Sequence, residues 1–536
     1  MTTTRIKTTQ SIRTAISAGL VIAAMAVYCQ QSAPLSVAPK TMPKLGTVDP
    51  RFVSYNIEMV EVTGGRFWKP YKSSAPAPGA PAAQLNPNQQ VGDNAAMFQY
   101  RSPIDLTNAR LRKLAAALGP SYVRVSGSWA NSTYFQDDDN AAMKEPPKGF
   151  RGVLTRAEWK GVVDFAHAVD DKIVTSVAVS PGVRDANGNW IPDQAKALFD
   201  YTKAVGGSIY ASEFMNEPTF PGPGGAPAGY DAAAFARDIK AFEPFLRKEL
   251  PQTVFLGPGS VGEGVSLMPG GAAAGMMRMK LLETPDLMKA TGPAYDAFSY
   301  HFYGGVSHRC MGNVTLSQAL TADWLDRTDK VEAFYAAIRD QYLPGKPMWL
   351  TETAEAACGG DQLARQFVDS FRYLNQLGTL AQKGVQVVMH NTLASSDYGL
   401  LDEDTYEPRP NYWAALLWKR TMGTVVLDPG TPKDQAVRVY AQCTAGTRGG
   451  VTILAMNTDA ANEQTLAIPS AGERYSLTAP GLTSTDVKLN GYELKAAADG
   501  SVPVFAGEPV AAGSIKLAPA SITFLIIPSA HNKNCK

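Results

Sequence analysis

Between residues 51 and 423 the chain repeats one rhythm, a short β-rich run followed by a longer stretch whose apolar residues recur three and four apart. Eight runs read as strands: RFVSYNIE, SYVRVSG, KIVTSVAVS, SIYASEFMNE, TVFLGPG, YDAFSYHFY, KPMWLTET and GVQVVMHN. Helical spacing fills the gaps, as in LTNARLRKLAAALG, YDAAAFARDIKAFEPFLRKEL, KVEAFYAAIRDQYL and DQLARQFVDSFRYLNQLGTLAQKG. Several of these end at Gly or Pro, common helix stops. Eight strand–helix units over roughly 370 residues predict an α/β fold, a (β/α)8 TIM barrel with insertions. An open doubly wound sheet is the alternative, but no glycine-rich phosphate loop follows the first strand.

Beyond residue 423 the pattern changes to short alternating strands, AVRVYAQCT, GVTILAMNTD, RYSLTA, DVKLNGYEL and SITFLIIP, separated by Gly, Asp, Asn and Pro. Residues 424–536 therefore read as a β-sandwich domain. The Pro-rich segment 34–50 reads as extended chain that adds an edge strand to it, and YKSSAPAPGAPAAQLNPNQQ reads as a long exposed loop.

At the N-terminus Arg5, Lys7 and Arg13 precede an apolar run from Ala15 to Tyr28, too short to span a bilayer comfortably. Residues 1–33 are read as a secretory signal peptide, with an uncleaved anchor as the alternative. A secreted or periplasmic location follows, with no stable membrane association once the signal is removed. Export means an oxidising compartment. The four remaining cysteines, Cys310, Cys358, Cys443 and Cys535, match no zinc spacing and favour one or two disulfides. Asn131-Ser132-Thr133 and Asn313-Val314-Thr315 fit the glycosylation acceptor pattern, which matters only in a eukaryotic host. Lys plus Arg (50) nearly cancel Asp plus Glu (49), so no global field draws the protein to nucleic acid or to a heavily sulfated polymer.

In a parallel barrel reactive groups sit at the C-terminal ends of the strands. Glu217 ends the fourth strand candidate in SEFMNEP and Glu352 ends the seventh in WLTET, so both face one cleft. Glycosidic bond cleavage needs such a pair: one carboxyl protonates the leaving oxygen while the other attacks the anomeric carbon or activates water. Either glutamate alone reads first as a structural ion pair; the two together reverse that reading. Arg124, near the end of the second strand, reads as a brace for the barrel.

FMNEP and MWLTETAEAACGG, the stretch QKGVQVVMHNTLASSDYGLLDEDTYEPRPNYWAALLWKRTMG, and VRVYAQCT, VKLNGYELK and NKNCK in the β-domain together resemble the heparanase-like β-glucuronidases, glycoside hydrolase family 79. The resemblance implies a retaining mechanism with Glu217 as acid/base and Glu352 as nucleophile, about 5 Å apart, and no metal or cofactor. It implies a carbohydrate substrate containing β-linked glucuronic acid. Asn216 matches the asparagine before the acid/base residue, and Tyr303 a tyrosine that bonds the nucleophile. His301 shapes the same floor. Tyr398 and the backbone amides of Gly359 and Gly360 match the grip on the uronate carboxylate, and Glu58 an acidic residue for sugar hydroxyls. Cys443 and Cys535 resemble the β-domain disulfide. Cys358 stands where the family carries glycine, and with Cys310 it is a candidate second bond, a free thiol being the alternative.

The departures bear on substrate. GSVGEGVSLMPGGAAAGMM, after the fifth strand, has no Lys or Arg where vertebrate heparanase is basic. DDDNAAMKEPPKGFRG replaces the long excised linker of that proenzyme, so activation by internal cleavage is not expected. Short or unsulfated glucuronides are therefore favoured, with endo-acting cleavage of heparan sulfate-like chains as runner-up. Another retaining β-glycosidase, or a sugar-binding surface protein without catalysis, remain as readings from other classes.

Overall fold

The computed structural model describes residues 35–71, 96–264, 282–310, 312–432 and 436–536. The expected signal peptide, most of the Pro-rich loop after residue 71 and part of the glycine-rich run after the fifth strand lie outside the described residues.

The eight β-rich runs form a closed parallel barrel of β1 (Val53–Glu58), β2 (Ser121–Ser126), β3 (Asp171–Thr175), β4 (Ile209–Ser212), β5 (Val254–Ser260), β6 (Ala297–Val306), β7 (Met348–Ala357) and β8 (Val387–His390). Each strand pairs with the next in sequence, and β8 closes on β1 through Val388 opposite Val53. The strands are followed in turn by helices α1 (Ala109–Leu118), α2 (Arg156–Ala168), α3 (Asp193–Ala204), α4 (Ala232–Glu249), α5 (Thr284–Thr291), α6 (Arg327–Tyr342), α7 (Phe367–Gln382) and α8 (Pro410–Thr421). Local signals start them: Asn108 accepts the Leu111 N–H at the head of α1, and Thr155 and Glu158 form a capping box on α2. The barrel expected from the alternation is present.

Period-two alternation sorts the strand residues. Tyr122, Val174, Ala211, Leu256, Ala297, Trp349, Val387 and Met389 fill the interior as an apolar plug, while Val123, Ile173, Phe255, Phe298, Leu350 and Val388 pack outward in the main core. Two residues further along, the interior turns polar at Arg124, Ser299 and Thr351. This change positions the site.

The C-terminal strands are β9 (Met422–Leu427), β10 (Val437–Thr444), β11 (Val451–Asn457), β12 (Gln464–Ile468), β13 (Gly472–Thr478), β14 (Gly513–Leu517) and β15 (Ser521–Ile527). One sheet runs Lys44–Thr47, β9, β10, β11, β15, β13 and on through the short strands Lys488–Leu489 and Tyr492–Glu493, with Glu508–Val510 also paired to β13, and a smaller one runs Leu35–Ser36, β12, β14. Their facing side chains form a separate core that includes Leu427, Val439, Ile453, Leu466, Ile515 and Leu525, the layering of a β-sandwich. The larger sheet is buried on its other face too, against the barrel. From β10, Tyr440 donates to Asn375 Oδ1 (2.7 Å) on α7, and Arg438 to Asp326 (2.5 Å). Gly378 of α7 makes room for this: a Cβ there would stand 2.3 Å from Cγ of Tyr440. Cys443 is bonded to Cys535 and Cys310 to Cys358. Among the described residues no helix is long and apolar enough to cross a membrane.

Candidate active site

The sequence places Glu217 at the end of β4, but β4 stops at Ser212 and the chain turns away through bends at residues 214–216. The side chain of Asn131 holds that segment by accepting the N–H of Asn216 and donating to its carbonyl, both at 2.9 Å. Asn131 is fully buried, so the acceptor pattern Asn131-Ser132-Thr133 marks a brace and not a sugar attachment point. Glu217 itself has φ of +51°, in the left-handed region that costs a residue with a Cβ about 1–2 kcal/mol. Such strain persists where the surroundings over-determine it, and here Asn131 and His301 do so.

Glu352 is not at a strand end either, because β7 continues to Ala357. Its direction comes from a register shift between Leu350 and Thr353 against β8. Trp349 points inward, and so does Thr351, whose hydroxyl donates to Glu213 (2.9 Å). Strict alternation would then send residue 352 outward. Instead Thr353 faces α7 through Gln376, and Glu352 turns into the barrel. A bulge of this kind re-aims one side chain without breaking the sheet.

Arg124 ties these parts together. Wholly buried, it donates to Glu213 (2.9 Å), to Glu352 Oε2 (2.9 Å) and to Asn216 Oδ1 (2.8 Å). It is thus more than a brace for the barrel. The Tyr303 hydroxyl donates to the other oxygen of Glu352 at 2.5 Å. Burial would raise Glu213, but the Arg124 guanidinium bonded to it holds it below the ordinary carboxylate range, so it stays a fixed negative charge. Glu217 is different: burial raises its carboxyl to about 7, with Glu213 pushing it up and Arg124 pulling it down. Its side chain is still 18% exposed, open to a substrate.

His301 links the two glutamates. Burial lowers its pKa to about 4 despite the nearby charge of Glu352, so the ring is neutral near pH 7. Nη2 of Arg124, which can only donate, lies 3.4 Å from Nε2. The ring proton therefore belongs on Nδ1, 3.0 Å from Glu217 Oε1. Glu217 receives that N–H on one oxygen and keeps the other for chemistry.

One carboxylate oxygen of Glu217, one of Glu352 and a ring nitrogen of His301 lie within 4.8 Å of one another. The trio has the residue types of a metal site, but its surroundings do not suit a cation. The Arg124 guanidinium already sits on Glu352 beside the imidazole, and His301 Nδ1 carries a proton. The spacing instead suits two carboxyls acting on one bond.

The remaining predicted residues lie around this centre. Glu58 is buried at the end of β1, with Oε1 accepting from Asn391 (3.1 Å) and Oε2 against Gly127, where a Cβ would stand 1.4 Å away. Burial, then the charge of Glu352, pushes the Glu58 carboxyl well above its usual range. Asn391 also reaches the hydroxyls of Tyr303 (3.2 Å) and Tyr398 (3.1 Å), joining Glu58, Tyr398 and the partner of Glu352 in one network. Gly359 and Gly360 lie beside Trp68 and Tyr398, both with positive φ. The expectation that both amides face a ligand does not hold: the Gly360 N–H is used by the carbonyl of Ala356 (3.1 Å).

Sequence reasoning missed Glu213, Asn131 and Asn391 as site residues. Glu213 stands in the same SEFMNEP stretch and Asn391 closes the eighth strand run, so strand-end polarity was a usable signal for both. For Asn131 only a misleading signal was present.

Residues 87–378 match the family model described as glycosyl hydrolase family 79, N-terminal domain. The chain is 25% identical over 512 residues to heparanase-like protein 1 of Arabidopsis thaliana, covering 84% of this chain and 90% of that protein. It is 27% identical over 501 residues to a hyaluronoglucuronidase of Hirudo nipponia, covering 83% and 95%. Its fold is similar to a 4-O-α-L-rhamnosyl-β-D-glucuronidase from Fusarium oxysporum, with a TM-score of 0.62, 14% identity, and coverage of 92% of this chain and 100% of that one. The family match spans more than half of the chain and takes in β2 to β7, with Arg124, Glu217 and Glu352. The chain belongs to glycosyl hydrolase family 79.

Proposed function

We propose that the protein is an exported retaining β-glucuronidase. The observation that carries this is the unequal glutamate pair: Glu217 with its carboxyl raised to about 7, and Glu352, bonded to Arg124 and Tyr303, within 4.8 Å of it. Retaining glycosidases hold their carboxyls about 5–5.5 Å apart, and inverting ones farther.

In the first step a Glu352 oxygen attacks the anomeric carbon while Glu217 gives its proton to the glycosidic oxygen. The aglycone leaves and a glycosyl ester remains on Glu352. Glu217, now ionised, takes a proton from water, whose oxygen attacks the same carbon. That frees the sugar and restores both groups. Glu58 and Asn216 face sugar hydroxyls, and Tyr398 with the Gly359 amide faces the uronate carboxylate. A hyaluronoglucuronidase among the relatives supports glucuronate as the sugar. Residues 51–423 form the catalytic unit and 424–536 the domain that braces it. Two disulfides suit the oxidising compartment that a leader at 1–33 implies.

A panel of 4-nitrophenyl β-glycosides tests the reading. Release is expected from the glucuronide in large excess over the glucoside and xyloside; equal release, or preference for a neutral sugar, refutes it. Product analysis on defined glucuronide oligosaccharides, sulfated and unsulfated, then distinguishes terminal from internal cleavage.

A further inference from the structure

Three segments meet beside the candidate uronate pocket, and one side chain joins them. Arg309, 7% exposed, donates from Nη1 to the carbonyls of Cys358 (2.8 Å) and Gly360 (2.7 Å), and from Nε to the carbonyl of Lys69 (2.8 Å). Its Nη2 pairs with the buried carboxylate of Asp397, the neighbour of Tyr398. The ring of Tyr71 covers the guanidinium at 3.9 Å. The next residue, Cys310, is bonded to Cys358.

Cys358, Gly359 and Gly360 have φ of 63°, 83° and 77°, three left-handed residues in a row. Tight turns of such residues can gather successive N–H groups into a concavity that suits an anion. A planar trans peptide points its N–H opposite to its C=O. By holding the Cys358 carbonyl, Arg309 and Ser307 (3.1 Å) thus turn the Gly359 N–H away from themselves. The Ser396 hydroxyl and the Asp397 N–H donate to the Gly359 carbonyl, so the same loop also sets the start of the Tyr398 segment. Paired with Asp397 and covered by Tyr71, the guanidinium itself is not presented to a sugar.

We propose that Arg309 is the positioning residue for acidic-sugar specificity: it aligns the Gly359 amide and Tyr398 with the carboxylate of the bound sugar, and the Cys310–Cys358 bond fixes its place. This rests on the glucuronidase reading above.

The test compares kcat/KM for 4-nitrophenyl β-D-glucuronide and β-D-glucoside, with inhibition by free glucuronate as a second readout. Wild type, Arg309→Gln, Arg309→Lys and the Cys310→Ser/Cys358→Ser pair are measured. Arg309→Gln is expected to lower the glucuronide-to-glucoside ratio by about tenfold or more, chiefly through KM for the glucuronide, and to weaken glucuronate inhibition in step. Arg309→Lys, which keeps the charge but cannot fork between two carbonyls, recovers part of the ratio. The serine pair moves it in the same direction. A purely structural role would lower both substrates alike and leave the ratio unmoved, which overturns the proposal. If Arg309→Gln does not fold, Arg309→Lys decides on the same ratio. A wild type that does not prefer the glucuronide overturns the underlying reading and this proposal with it. A wild type that prefers it, beside variants that keep its ratio, overturns this proposal alone.

Discussion

At the scale of single residues, the two glutamates differ by what surrounds them. Glu352→Gln is expected to abolish turnover of activated and unactivated glucuronides alike, since no other group supplies the attacking oxygen. Glu217→Gln is expected to cost about 10²–10⁴-fold on an unactivated glucuronide but to spare the first step on a 4-nitrophenyl glycoside, whose leaving group needs no proton. A burst of nitrophenol followed by slow turnover is the signature. The proton on Glu217 also sets a pH limit. With its carboxyl near 7, kcat/KM for an unactivated glucuronide should fall about tenfold per unit above that pH, and the Glu217→Gln profile should lack this limb. The pair was legible because each glutamate stands in a polar motif at the end of a strand run, whereas His301 and Tyr303 came only with the family resemblance. The role of Arg124 was not: its partner Glu352 lies 228 residues away, and no local pattern encodes that pairing. Nor was that of Asn131, because a three-residue acceptor pattern carries no information about burial.

At the scale of elements, all eight barrel strands were readable from alternating composition. Their ends were not, because side-chain pattern does not show where ladder pairing stops. The run to Glu217 looked like continuous strand, yet Asn131 takes the backbone groups of Asn216 that a neighbouring strand would otherwise pair. The bulge in β7 is equally silent: Thr351 and Glu352 both point inward, and nothing in WLTET marks the slip. Packing between elements gives a direct test at Gly378. Its φ is ordinary, so Gly378→Ala adds only a methyl, but one that collides with the Tyr440 ring. Stability should drop by about 1–3 kcal/mol, read from the urea midpoint, as overpacking does elsewhere. Adding Tyr440→Leu should recover part of that loss, because the two positions share one contact.

At the scale of the whole molecule, the β-domain is sealed to the barrel. β10 buries Val437, Val439, Ala441 and Cys443 in the sandwich and sends Arg438, Tyr440 and Gln442 to the other face, two of them onto barrel partners. The Cys443–Cys535 bond closes a 92-residue separation within this unit. Replacing both by serine is expected to cost about 2–5 kcal/mol, measured by thermal or denaturant unfolding under oxidising conditions. Catalysis at low temperature should change little, since the bond lies in the sandwich. The larger sheet has one more property. Lys44–Thr47 and Met422–Leu427 are adjacent antiparallel strands, so the barrel departs from one rung of a ladder and returns at the next. In connectivity the hydrolase is a guest inserted into its host sheet. Cutting the chain near residue 421 to liberate the barrel would orphan the first of these strands and bare the groove at Gly378. A circular permutant opened in a surface loop of the barrel would keep that ladder whole.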